Sequence, residues 1–334
     1  MRGIGTAAFL MVFAWLLLVP EPLGAWGPAT HVALGEVLLN SLYLLPPALR
    51  LLLETHPIQF LYGSVAADIS FAKKYVPEGR HSHHWRVGEE ILKAAPNDAL
   101  RAAGYGYLAH LAADTLAHNT FVPRKLFLTR TGKPHGHTYW EHRVDLHLGE
   151  DFLGKARRLV MNHDHAAADD LFDTVLSRTL FSFRTNRRIF RGMIKAQDND
   201  RWKLVFDRVL RNSRYDLPNA RVQEYIAFSF DYMVDYFRNG AGSRPRGLDP
   251  VGALNLRIAK KLRRAGKAEG GSQDPQFLDD LANRFFPLPT GPLLYWPKAK
   301  ALGRRELLTG GAAVKGLPSP LEKHGQEPRS SLQK

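Results

Sequence analysis

In the run Tyr107-Leu-Ala-His110-Leu-Ala-Ala-Asp114-Thr-Leu-Ala-His118-Asn119, two imidazoles flank a carboxylate at four-residue steps. Four residues of α-helix sweep about 400°, so the three side chains share one face with a drift of about 40° per step. Their neighbours are mostly Ala and Leu, which points that face inward. Burying two imidazoles and a carboxylate without compensation costs several kcal/mol, and a bound metal ion compensates directly. A hydrogen-bonded polar stripe is the plainer reading of the same residues, because Asp and His also pair without a metal.

A second pair, His137-Thr-Tyr-Trp-Glu141, has the same spacing and can grip one ion from one helix face. Alone it is a weak signal, and His135, His142 and His147 lie close by. Upstream stand His31, Asp68 in Tyr62-Gly-Ser-Val-Ala-Ala-Asp68-Ile-Ser70, and the dense turn His81-Ser-His83-His84-Trp85. Thirteen of the 14 histidines fall between His31 and His165, and the chain has no cysteine. The missing thiols exclude a disulfide scaffold, a thiol nucleophile, a Cys-ligated zinc finger and an iron–sulfur cluster. Any metal must sit on His, Asp, Glu or backbone.

The elements that must carry these residues read as all-α. Helical periodicity predicts helices over Thr30–Tyr43, Pro47–Glu54, Trp85–Ala94, Asp98–Asn119, Tyr139–Leu148, Ala167–Leu180, Arg184–Ala196, Trp202–Asn212, Ala220–Arg238 and Gly252–Lys267. At 334 residues and 45% hydrophobic, the chain can bury a real core. Arg2, the apolar run Ile4–Val19 and the Leu23-Gly24-Ala25 close predict a signal peptide over 1–25, cleaved before Trp26, and hence an exported protein, periplasmic or extracellular. A catalytic core over 26–150, a helical extension packing on it over 151–308 and a disordered basic tail over 309–334 complete the expected organisation. The net charge is +14, and from Val251 onward 15 Lys and Arg face 7 Asp and Glu. A basic quarter of this kind suits an anionic membrane surface, nucleic acid or plain solvent.

Taken in order, Trp26, His31, Asp68, His84-Trp85, His110-x-x-x-Asp114, His118 and His137-x-x-x-Glu141 resemble the zinc-dependent phospholipase C family, which is related to the S1/P1 nucleases. Pro28-Ala-Thr-His31-Val-Ala-Leu-Gly35 is also similar to the start of the glycosylphosphatidylinositol-specific phospholipase D catalytic domain. The resemblance covers about Trp26 to Gly149 and implies a helical bundle with three zinc ions. It implies one zinc on Asp68, His84, His110 and Asp114, a second on His118, His137 and Glu141, and a third on the amino group and carbonyl of Trp26 with His31 and the bridging Asp114. His83 is the alternative to His84; the aromatic residue directly after His84 favours the latter.

The implied activity is hydrolysis of a phospholipid phosphodiester by a metal-activated hydroxide attacking in line, with Asp68 as general base. A nuclease that stacks bases on aromatic side chains is the alternative within this chemistry. A non-catalytic zinc-binding helical protein at the membrane is the alternative outside it.

The implied amino-terminal ligand makes signal cleavage part of site assembly. A free α-amino group has a lone pair to give, whereas the nitrogen of an uncleaved Ala25–Trp26 peptide is committed to the planar amide. Proteins starting at Trp26, Ala25 and Met1 are therefore expected to differ: the first holds the full zinc complement and the other two lose one ion and most hydrolysis. Zinc analysis beside a phosphodiester assay checks this, and full activity with an uncleaved terminus would refute it.

Overall fold

The computed structural model describes residues 26–69, 82–129, 136–176, 183–197, 217–268 and 274–300. Every α-helix and turn of helix in them belongs to one all-α architecture, with no strand among the described residues. The chain runs through α1 (Pro28–Leu39), α2 (Pro47–Thr55), α3 (Pro57–Ala66), α4 (Trp85–Ala94), α5 (Asp98–Leu116), α6 (Val122–Leu128), α7 (Gly136–Leu148), α8 (Glu150–Asn162), α9 (Ala166–Val175), α10 (Phe183–Gln197), α11 (Asn219–Asn239), α12 (Ala253–Ala268) and α13 (Pro275–Phe285). No described helix is long and apolar enough to cross a membrane. The expected signal peptide, the Trp202–Asn212 helix and the 309–334 tail lie outside the described residues.

Several helices begin with Pro in their first turn, where the missing N–H is not needed and the fixed φ suits the helix. The helices expected from periodicity did not include α3 and α6, which begin at or beside Pro57 and Pro123. Nor did they include α8 and α13, whose apolar stripes alternate with many charged residues. Asn97 caps α5 by accepting from Leu100 N at 3.0 Å.

The closest packing in the molecule joins α3 and α5. Gly63 on α3 and Gly106 on α5 make it possible, because a Cβ on Gly63 would overlap the Ala103 carbonyl and a Cβ on Gly106 would overlap the Phe60 carbonyl. With backbone against backbone, the turn that ends α3 (Ala67–Ile69), carrying Asp68, is brought beside His110 and Asp114 of α5.

α5 stops being α-helical at Leu116 rather than at Asn119. A π turn, Ala117–Phe121, follows, in which Val122 N–H reaches back five residues to the Ala117 carbonyl. The wider turn lets the chain continue into α6 despite Pro123, whose ring would clash with the preceding turn of a regular helix. His118 sits inside this turn.

α11 packs across α5 and closes the core from the carboxyl-terminal side. Its Tyr225, Phe230, Val234 and Phe237 join Trp26, Phe60, Tyr107 and Phe121 in one continuous apolar cluster. A smaller cluster, Phe127, Ala259, Ala282 and Phe286, fixes α12 and α13 against α6.

The glycine crossing generates a direct test. Gly106→Ala pushes a methyl into a backbone carbonyl that cannot move alone and is expected to lower the unfolding free energy by about 2–3 kcal/mol. Gly192→Ala on α10 meets nothing within 4 Å and is expected to raise it by up to about 1 kcal/mol through helix propensity. Urea denaturation of the two variants beside the parent checks both signs.

Candidate metal centre

Asp114 is fully buried on α5, with no solvent access to either carboxylate oxygen. Around it the fold gathers imidazoles from three places. His110, one turn earlier on the same helix, puts Nε2 3.1 Å from Asp114 Oδ2. His31 of α1 puts Nε2 3.3 Å from Asp114 Oδ1. His83, from the turn before α4, puts Nε2 3.2 Å from Asp114 Oδ2 and 3.3 Å from Asp68 Oδ1. His118 in the π turn lies next, its Nδ1 4.0 Å from Asp114 Oδ2.

The ring orientations narrow the chemistry. His110 Nδ1 lies 2.9 Å from the Ser64 carbonyl, and His118 Nδ1 2.5 Å from the Pro250 carbonyl. A carbonyl only accepts, so each Nδ1 carries the proton and each neutral ring keeps its lone pair on Nε2. His110 Nε2 then faces His83 Nε2 at 3.0 Å and the Asp114 carboxylate at 3.1 Å. An acceptor nitrogen facing a second imidazole and a carboxylate at this distance suits a shared cation, either a proton or a metal ion.

His31 Nε2 and both Asp114 oxygens also lack a well-formed hydrogen bond, although all three are within 3.3 Å of a cluster member. Ligands of a tetrahedral zinc, each about 2.0–2.2 Å from the ion, stand about 3.3–3.5 Å apart. The sets His31, Asp68, His110 and His83, His110, Asp114 have donor atoms within 4.8 Å of one another, and in the second set the separations of 3.0, 3.1 and 3.2 Å are close to that spacing. The residues present thus fit a metal ion of the nitrogen- and oxygen-preferring kind.

Charge in the cluster is distributed accordingly. Burial works against ionisation of Asp114, but His110, with His31 and His83, outweighs it and holds the carboxyl well below its usual range. Burial and the neighbouring His110 lower the His31 pKa, keeping that ring neutral. For His110 burial is outweighed by Asp114 and Asp68, which raise its pKa. An anionic carboxylate and neutral imidazoles are the states a metal requires, and a proton on His110 is the cation the cluster otherwise attracts.

The expected ligand at the dense histidine turn was His84, and the structure brings His83 into the cluster instead. His83 is fully buried, with Nδ1 3.1 Å from Ser82 Oγ. His84 is half-buried at the cap of α4, where its carbonyl accepts from Val87 N and Gly88 N. Tyr107, one turn before His110, donates to the Ser82 carbonyl at 2.5 Å and holds the turn in place.

Trp26 is buried beside the cluster, its indole N–H shared between the Ala113 carbonyl at 3.2 Å and Ser229 Oγ at 3.1 Å. Glu141 is buried on α7, which packs against α1 and α6. His137 lies on α7 one turn earlier, and its side chain is outside the described set.

Several positioning residues escaped the sequence reading. Asp145, buried on α7, accepts from Ala29 N, Thr30 N and Thr30 Oγ1 at 3.1, 2.9 and 2.6 Å, capping α1 from another helix. Burial pushes its carboxyl up to about 6 against the pull of those hydrogen bonds. Gly27 must be glycine, since a Cβ there would overlap the Asp145 carboxylate. The signal was present, because 137, 141 and 145 continue one four-residue stripe. Ser64 and Pro250 act through backbone carbonyls, which leave no mark in the sequence. Gly252, at φ +60, lies so close to the His118 carbonyl that a side chain would overlap it, and Asn255 Nδ2 donates to Asn119 O at 3.0 Å.

Comparison with curated proteins and with solved structures yields no match. A family model does match: zinc dependent phospholipase C, over residues 30–186. That span contains His31, Asp68, His83, His110, Asp114, His118, His137 and Glu141 and reaches past Gly149 into α10. Residues 30–186, which carry the buried His and Asp cluster, are thus similar to the zinc-dependent phospholipase C family.

Proposed function

We propose that the protein is an exported, zinc-dependent phosphodiesterase that hydrolyses phospholipids. The observation that carries this reading is the convergence of His31, Asp68, His83, His110 and Asp114 on one buried space, inside a segment of zinc-dependent phospholipase C type. One zinc would be held by Asp68, His83, His110 and Asp114, with His83 taking the place first expected of His84. A second would be held by His118, His137 and Glu141, and a third by the Trp26 amino group and carbonyl with His31 and Asp114. Bound zinc neutralises the charge of a phosphodiester and lowers the pKa of water toward 7.

The chain's own residues supply the rest. Asp114 is sealed and stays anionic among histidines, which suits a carboxylate shared by two ions. The Asp68 side chain is 10% exposed, whereas those of His83, His110, Asp114 and His118 are at 0%. Asp68 is therefore the member able to meet an incoming water, and it accepts that water's proton as general base. Ser64 and Pro250 hold His110 and His118 in the tautomer that turns Nε2 inward. Nonpolar walls around the cluster exclude bulk water and strengthen each charge interaction within it. Phospholipid is the substrate and an anionic membrane a peripheral contact surface, in keeping with the basic carboxyl-terminal quarter.

Purified protein beginning at Trp26 is expected to hold close to three zinc ions. It is expected to cleave phosphatidylcholine or phosphatidylinositol, to lose that activity to a chelator, and to leave single-stranded DNA intact. DNA cleavage would move the assignment to a nuclease, and tight zinc without hydrolysis of any of these would make the metals structural.

His83→Ala is expected to remove one zinc and nearly all hydrolysis, while His84→Ala leaves metal content intact. Elemental analysis of the pair decides which ring is the ligand. Asp114→Asn is expected to lower activity by about 100-fold or more and to exceed any single histidine variant. His165→Ala, whose ring stacks on Tyr62 away from the cluster, serves as the reference for a purely structural loss.

A further inference from the structure

α10 presents two unlike faces. Phe183, Asn186 and Phe190 are buried, while Arg184, Arg187, Arg188 and Arg191 line one side of an open cavity of about 470 Å³. The opposite wall is α9, with Ala166, Asp169 and Asp170. The cavity contains none of the metal-cluster residues. Arg187, Arg188 and Arg191 also lie beyond the segment matched by the family model.

The charges do not balance. Asp170 takes Arg184 at 2.7 Å. Asp169 takes Arg187 and accepts from the buried Tyr62 hydroxyl at 2.5 Å, so this carboxylate is occupied on both sides. Among the described residues Arg191 reaches the Met161 carbonyl, at 3.4 Å. Arg188 makes no ion pair among the described residues. Among the described lining residues, four guanidiniums against two carboxylates leave an excess of two positive charges around a concave space.

Arg184 and Arg187 are tethered by their partners, which preorganises that wall. Arg188 and Arg191, three residues apart, share a face of the helix. Guanidinium forks match the oxygens of a phosphate, and an excess positive charge lining a hollow favours an anion over solvent. An apolar ligand has no place among these side chains, and a cation is repelled.

We propose that this cavity binds a phosphate group in its doubly charged form, as inorganic phosphate or as the terminal phosphate of a lipid headgroup. The volume admits a headgroup as readily as the free ion. α10 also packs against the turn that carries Asp68, so occupancy here stiffens a wall of the metal centre. The site does not depend on the activity proposed for that centre.

The test uses the full zinc-loaded chain and two variants, Arg188→Gln and Arg188→Gln/Arg191→Gln. Isothermal titration is run with inorganic phosphate, dihexanoyl phosphatidic acid and, as a zwitterionic comparison whose phosphodiester carries a single charge, dihexanoyl phosphatidylcholine. Phosphate can also meet the metal centre, so the readout is the difference between parent and variants at unchanged zinc content.

The double variant is expected to bind phosphate or phosphatidic acid at least tenfold more weakly, with an intermediate loss for Arg188→Gln, and with phosphatidylcholine unaffected. A loss confined to phosphatidic acid assigns the site to lipid, and a loss confined to phosphate assigns it to the free ion. Identical titrations for the parent and Arg188→Gln, whose side chain is exposed and makes no hydrogen bond or ion pair among the described residues, would overturn the proposal. Failure of the zinc or hydrolysis tests leaves this comparison intact, and the reverse also holds.

Discussion

A carboxylate cannot remain ionised in a protein interior unless positive charge or hydrogen bonds replace the water it has lost. Asp114 imposes that condition on the centre of this molecule. Its oxygens are buried, it lies 3.1–3.3 Å from three imidazole nitrogens, and the helices that deliver those nitrogens must all converge on it. The arrangement of α1, the turn before α4, and α5 follows from this need. The same crowding that would destabilise an empty apolar core makes the cluster a strong site for a cation.

Convergence of that precision rests on two departures from regular packing. At Gly63 and Gly106 the absence of Cβ atoms lets α3 and α5 touch backbone to backbone, which brings Asp68 within 3.9 Å of His110. At Ala117–Phe121 a π turn absorbs Pro123 and places His118 beside Asp114. A regular helix through the same residues would lose a hydrogen bond at Pro123 and clash with the turn before it. Both devices use local geometry to set distances between residues far apart in sequence.

The site is also completed by parts of the chain well beyond the family-type segment. Pro250 orients His118, Gly252 admits the close approach of the next helix, and Ser229 of α11 shares the Trp26 indole. Asp231 of α11 accepts from Leu294, Tyr295 and Trp296 N–H groups at 2.5, 3.0 and 2.6 Å, fixing the last described stretch to the core. A buried carboxylate on α7, Asp145, caps α1 from a distance of 115 residues in sequence. The later helices are thus structural partners of the metal centre, and truncation near Gly149 would expose it.

Helix periodicity is local, so the all-α class and the shared face of His110, Asp114 and His118 were legible from spacing alone. The same holds for the stripe through His137 and Glu141, whose continuation to Asp145 was open to view and passed over. Choice between His83 and His84 was not legible, because in a turn no period says which side chain points inward. The Trp after His84 favoured that ring, but Trp85 serves as the first, buried residue of α4, its indole donating to the Leu248 carbonyl at 2.9 Å. The π turn was hidden because Pro123 reads equally well as the end of a helix. Carbonyl partners such as Ser64 and Pro250, and the opposition of α9 to α10 that makes an arginine-lined hollow, have no residue signature. Sequence by itself determined which groups could bind a cation and that helices would carry them. Which of those groups meet, in which tautomer and around which space, was decided by tertiary packing, because distances between separate helices depend on the close approach of backbones that no local pattern encodes.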